Sequence, residues 1–118
     1  MDHLGPGTEH GTFFAPRAWE LQSLSQLTRE NFGPALHVIR WKASELDAVV
    51  DAINATGYGL TLGVHSRIES TWRHVAAQAR VGNVYVNRPI TGAVVGSQPF
   101  GGEGLSGTGP KAGGPHYL

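Results

Sequence analysis

Ten of the chain's 17 glycines lie between Gly82 and Gly114. A glycine inside a helix or strand costs about 0.5–1 kcal/mol relative to alanine, and Pro89, Pro99 and Pro110 remove backbone donors as well. The last third of the chain is therefore a loop, and the regular elements must come from the residues before it. Val94, Val95, Phe100 and Leu105 interrupt the glycines, which points to an ordered loop rather than a bland flexible linker.

Upstream, residues 1–11 read as a poorly ordered leader. Residues 12–21 (TFFAPRAWEL) suit an edge strand or extended segment, because a proline stands among the apolar residues. Residues 23–31 allow a helical turn or two before Gly33-Pro34, and residues 35–41 (ALHVIRW) form a strand. Ser44 opens a helix, with Asp47 completing a variant capping box. Leu46, Val49, Val50 and Ile53 recur at i, i+3, i+4 and i+7, one apolar stripe, and Gly57 stops the helix. A strand over residues 58–65 follows. Ser66 and Glu69 then cap a second helix whose face is Ile68, Trp72, Val75, Ala76 and Ala79. Gly82 ends it, and NVYVN (residues 83–87) is the third strand. Strand–helix–strand–helix–strand predicts an α/β fold with parallel strands and right-handed crossovers.

A length of 118 residues leaves room for one domain. Nine basic and nine acidic side chains cancel, which argues against nucleic acid or an anionic membrane as partner. No run of about 18 apolar residues offers a transmembrane span, and the first residues lack a signal-peptide pattern. The absence of cysteine excludes a disulfide framework and any thiolate chemistry or thiolate metal site. A cytoplasmic location follows by default.

Several motifs are near misses. Gly102, Gly104 and Gly107 have the spacing of a dinucleotide fingerprint, but no helix can follow in GTGPKAGGP. The run from Gly104 to Lys111 approaches a phosphate loop, yet Pro110 displaces the lysine and no Ser or Thr follows it. The six histidines form neither H-x-x-x-H nor H-E-x-x-H, so no metal site is expected; His74 is placed on the polar side of its helix. Two segments remain. ENFGP (residues 30–34) sets a carboxylate and an aromatic before a turn, and residues 89–114 form a loop long enough to be functional.

ENFGP before a strand, and QPFGG followed by SGTGPKAGGP, resemble the aldehyde dehydrogenases. Within them the similarity is to the C-terminal part of the L-glutamate-γ-semialdehyde (1-pyrroline-5-carboxylate) dehydrogenase domain of the proline utilization A family. It covers residues 11–118 and implies that residues 12–118 are a C-terminal fragment of the catalytic domain, including a substrate-anchor loop at 89–114. It implies that Glu30 holds the nicotinamide ribose hydroxyls of NAD and that Phe32 packs beside the nicotinamide. A carboxylate suits a vicinal diol because it offers two acceptors and no donor. Asn31 departs from the apolar residue usual between them. The backbone N–H groups of Gly92 and Ala93 are implied to hold the substrate's α-carboxylate, with Phe100 against its aliphatic part. Successive amides can cradle an anion without a charged side chain.

The family reaction is thiolate attack on the aldehyde, hydride transfer to NAD⁺ and hydrolysis of the thioester to glutamate. No catalytic residue of that reaction lies in this chain, which lacks the cysteine and the upstream general base. Two functions are therefore open: a piece of an NAD-dependent oxidoreductase of proline catabolism, inactive when isolated, or a non-catalytic binding or assembly module of the same fold. An upstream frame encoding a cysteine-bearing segment separates them. The expected partners are a small aldehyde bearing an α-carboxylate, and a second copy of the chain or the remainder of a dehydrogenase.

Overall fold

A computed structural model describes residues 4–117. The chain divides into two compact units, Met1–Ser44 and Glu45–Leu118. Of the expected leader, residues 1–3 lie outside the described residues. Residues 4–11 are turns and bends, in which Thr8 Oγ1 donates to Gly5 O (2.7 Å). The Glu9 carboxyl is held below the usual carboxylate range by hydrogen bonds from its own N–H and that of Gly7.

In the first unit, strand β1 (Arg17–Leu21) pairs in parallel with β2 (Ala35–Ile39), from Arg17↔Ala35 to Leu21↔Ile39. Residues 22–34 make the crossover, near the dozen or so that a parallel connection needs, and hold a short 3₁₀ turn at Leu24–Gln26. β2 has the period of a one-sided strand: Ala35, His37 and Ile39 are partly covered, while Leu36 and Val38 face outward. Trp19 and His37, opposite one another in the ladder, stack at 5.6 Å.

In the second unit, helix α1 (Leu46–Ala55) forms where the apolar stripe predicts it. Val50 is its buried centre at 2% exposure, with Leu46, Val49 and Ile53 partly covered around it. The Ser44 capping box does not form: Ser44 lies inside a 3₁₀ turn (Ala43–Glu45), and Glu45 takes the N-cap position without a side-chain bond. Gly57 ends the helix as expected, at φ +75°.

The strand expected over residues 58–65 is two strands that change partner at Leu60. β3 (Tyr58–Gly59) pairs antiparallel with β6 (Glu103–Gly104), whereas β4 (Thr61–Val64) pairs in parallel with β5 (Asn83–Val86). The β4–β5 crossover is helix α2 (Glu69–Gln78), so the predicted α/β order stands.

Two expectations for α2 are corrected. Its N-cap is Ile68, which is 63% exposed rather than on the covered face. Ser66 Oγ accepts from the Ile68 N–H (3.1 Å), and Glu69 is drawn instead to Arg73 one turn on (2.7 Å). The helix also ends at Gln78, before Gly82, because Ala79 turns extended. The rest of its face, Trp72, Val75, Ala76 and Ala79, is covered as expected.

Side chains tie the helices together. Asn54 Nδ2 donates to Gln78 O (3.0 Å) while its Oδ1 accepts from the Arg80 N–H (2.8 Å). His74, expected on the polar side of its helix, is part-exposed and pairs through Nε2 with Asp47 of α1.

Candidate functional site

The glycine-rich loop leaves β5 through Asn87, a non-glycine residue at φ +54°. Its side chain explains how that conformation is held. Asn87 Oδ1 accepts from the Ser66 N–H (2.9 Å) and Nδ2 donates to Ser66 O (3.0 Å), while its own N–H reaches Val64 O (2.9 Å). The loop therefore starts from a fixed direction at the C-terminal end of the β4–β5 pair.

Isolated bridges then order the loop. Val94 and Gln98 exchange backbone bonds (3.2 and 2.7 Å), as do Phe100 and Ala112 (2.9 and 2.7 Å), and the Gly96 N–H reaches Gly113 O (2.9 Å). The far end rests on the start of β5: Asn83 Nδ2 donates to Pro99 O (3.1 Å), and Lys111 Nζ donates to Gly82 O. A Cβ on Gly82 would stand 1.7 Å from Gly101 O. Gly82 is thus a seat for the loop rather than a helix stop. Close backbone approach requires glycine there.

Gly92 and Ala93 are both exposed. Gly92 has φ +88°, a region that costs other L-residues about 1–2 kcal/mol. Among the described residues, neither of these two successive N–H groups donates to an acceptor within the chain. They belong to a loop ordered on either side, with dipoles free to meet an anion. Phe100 is 38% exposed, partly packed and partly available. These three expected residues share one ordered loop.

Glu30 and Phe32 lie in the first unit. With Asn31, Trp19, Leu27 and His37 they help line an open groove of about 730 Å³. The Glu30 carboxylate is exposed, and Phe32 is 98% exposed, its ring available to another flat group. Among the described residues no cap or ladder bond ties down either side chain.

Sequence reasoning passed over Arg88. Its guanidinium lies 4.9 Å from the centre of the Tyr85 ring, and Nη2 donates to Thr91 O (3.3 Å). Tyr85 itself is buried at 5% exposure. A cationic residue directly after a strand, in a loop otherwise short of charge, was the available signal.

The model of the aldehyde dehydrogenase family matches residues 2–118. The bifunctional protein PutA of Klebsiella aerogenes is 64% identical over 109 residues, which are 92% of this chain and 8% of that protein. A 1-pyrroline-5-carboxylate dehydrogenase of a Geobacillus strain is 47% identical over 92 residues, 78% of this chain and 18% of the relative. A crystal structure of a Bradyrhizobium japonicum Proline Utilization A mutant superposes with a TM-score of 0.88 at 60% identity, covering 92% of this chain and 11% of that one. The chain thus spans about a tenth of the length of the PutA relatives.

Proposed function

The chain belongs to the aldehyde dehydrogenase family, and we propose that it serves an NAD-dependent oxidation of L-glutamate-γ-semialdehyde to L-glutamate by gripping the substrate's α-carboxylate. The observation that carries this reading is the pair of N–H groups at Gly92 and Ala93, without an acceptor among the described residues, in an exposed but ordered loop. An aldehyde dehydrogenase that acts on simple aldehydes has no use for an anion cradle. One that acts on a carboxylated aldehyde does. The similarity to PutA and to 1-pyrroline-5-carboxylate dehydrogenase supports the same substrate class.

The two amides would hold the carboxylate oxygens, and Phe100 would cover the substrate's methylene groups. Holding the carboxylate end and the methylene chain of a short substrate aligns its aldehyde carbon for attack, and such alignment lowers the barrier by fixing orientation in advance. The nucleophile does not come from this segment, which contains no cysteine.

The first unit offers groups that suit the nicotinamide half of NAD. An exposed carboxylate at Glu30 suits a ribose diol, and the free ring face of Phe32 suits a planar heterocycle. When bound, NAD⁺ supplies the hydride acceptor. No helix among the described residues is long and apolar enough to cross a membrane, and a cytoplasmic enzyme of proline catabolism accords with this reading.

The test uses an enzyme that carries this segment together with a catalytic cysteine. NADH formation is followed with L-glutamate-γ-semialdehyde and with propanal. Preference for the carboxylated substrate is expected, and oxidation of propanal alone would refute the proposal.

A further inference from the structure

We infer that Arg88 is a positioning residue that aims the Gly92 and Ala93 amides, and so sets the preference for a carboxylated aldehyde. The inference rests on the anchor reading above and assigns its control to a side chain outside the anchor. The path runs from the core to the amides. Tyr85, buried on β5, presents its ring to the guanidinium at 4.9 Å, a cation–π contact that fixes the base of the brace.

From there the guanidinium reaches the loop along two routes. Nη2 donates directly to Thr91 O (3.3 Å), the carbonyl of the peptide that carries the Gly92 N–H. Nη1 acts through Gln98. In the amide orientation that satisfies both partners, Gln98 Oε1 accepts from Arg88 Nη1 (3.1 Å) and its Nε2 donates to Gly92 O (3.2 Å).

Those two carbonyls decide the geometry. The Thr91 carbonyl shares a rigid peptide plane with the Gly92 N–H, and the Gly92 carbonyl shares one with the Ala93 N–H. Holding both oxygens therefore fixes where both anchoring N–H groups point. Gly92, at φ +88°, lacks the steric restriction that would hold this geometry by itself. A forked donor is needed to serve both routes. Lysine keeps the charge but not the planar fork.

The test compares KM and kcat for L-glutamate-γ-semialdehyde and propanal in an active enzyme carrying this segment. Arg88→Ala and Arg88→Lys should each raise KM for the semialdehyde about tenfold, the scale of a lost charge-assisted hydrogen bond. Both kcat and the propanal constants should stay within about twofold. Gln98→Leu should raise the same KM, and the double variant should be no worse than the Arg88 variant, since the route through Gln98 begins at Arg88. A wild-type KM in Arg88→Lys would overturn positioning in favour of simple charge attraction, and a wild-type KM in Arg88→Ala would overturn both. Should Arg88→Ala lower the melting temperature sharply, Gln98→Leu decides in its place: a raised semialdehyde KM supports the brace and an unchanged one overturns it. A wild-type enzyme with no preference for the semialdehyde would remove the anchor itself. Preference retained by every variant would remove only the brace.

Discussion

Replacing Gly82 by alanine should unseat the anchor loop, and the size of the effect follows from the backbone contact. The new Cβ would lie 1.7 Å from Gly101 O, 2.7 Å from Gly101 C and 2.9 Å from Gly102 Cα. Carbon–oxygen contacts settle near 3.3 Å, so the loop must withdraw by roughly 1.6 Å. That movement breaks the Asn83–Pro99 bond and the Lys111–Gly82 bond, at about 1 kcal/mol each. Overpacking adds about 1–3 kcal/mol, and reduced freedom of the unfolded chain returns about 0.4–1 kcal/mol. The net loss is roughly 3 kcal/mol. Expressed as local opening, that is about a hundredfold loss of protection, at about 1.4 kcal/mol per decade. Hydrogen exchange should show it at the Phe100 and Ala112 amides, which bond to each other's carbonyls within the loop. Gly5→Ala, whose Cβ meets nothing within 4 Å, is the control. Unchanged protection of Phe100 and Ala112 in Gly82→Ala would refute the seating of the loop on β5.

The chain by itself should not oxidise aldehydes, because it has no thiol to attack the carbonyl; NADH production above a no-protein blank would contradict this. It should also bind NAD⁺ no tighter than the millimolar range. The cofactor groups proposed for it are only Glu30 and Phe32, and low-micromolar affinity would need about −8 kcal/mol. Calorimetric titration giving micromolar affinity would show a nucleotide site beyond those two residues.

The parts legible in the sequence were those set by local pattern. The stripe Leu46, Val49, Val50 and Ile53 repeats within a few residues, and α1 buries it as that repeat requires. The density of glycine likewise marked the loop. What escaped depends on partners far along the chain. Residues 58–65 look like one strand because their break at Leu60 is imposed by β6, more than 40 residues downstream. Gly82 looks like a helix stop because Gly101, the backbone that requires it, is distant in sequence. The capping boxes failed for a third reason: each helix starts at another residue, with Glu45 at the N-cap of α1 and Ile68 at that of α2, while Glu69 pairs with Arg73 and Asp47 with His74. At the candidate site, motif resemblance pointed to Gly92 and Ala93. The brace through Arg88 and Gln98 has no sequence pattern, since only the folded loop brings that guanidinium to Thr91 and that amide to Gly92.

The central claim is that backbone amides of this loop hold the substrate's carboxylate, and Gly92→Val tests it most directly. A β-branched residue at φ +88° is strongly disfavoured, so the Thr91–Ala93 backbone must turn and the amides lose their aim. The quantity to measure is the ratio of kcat/KM for L-glutamate-γ-semialdehyde to that for propanal, in an active enzyme carrying this segment. That ratio should fall by about tenfold or more, equivalent to about 1.4 kcal/mol of transition-state binding, because propanal has no carboxylate to lose. Equal losses on the two aldehydes, leaving the ratio unchanged, would show that the loop is structural and that Gly92 and Ala93 do not hold the substrate.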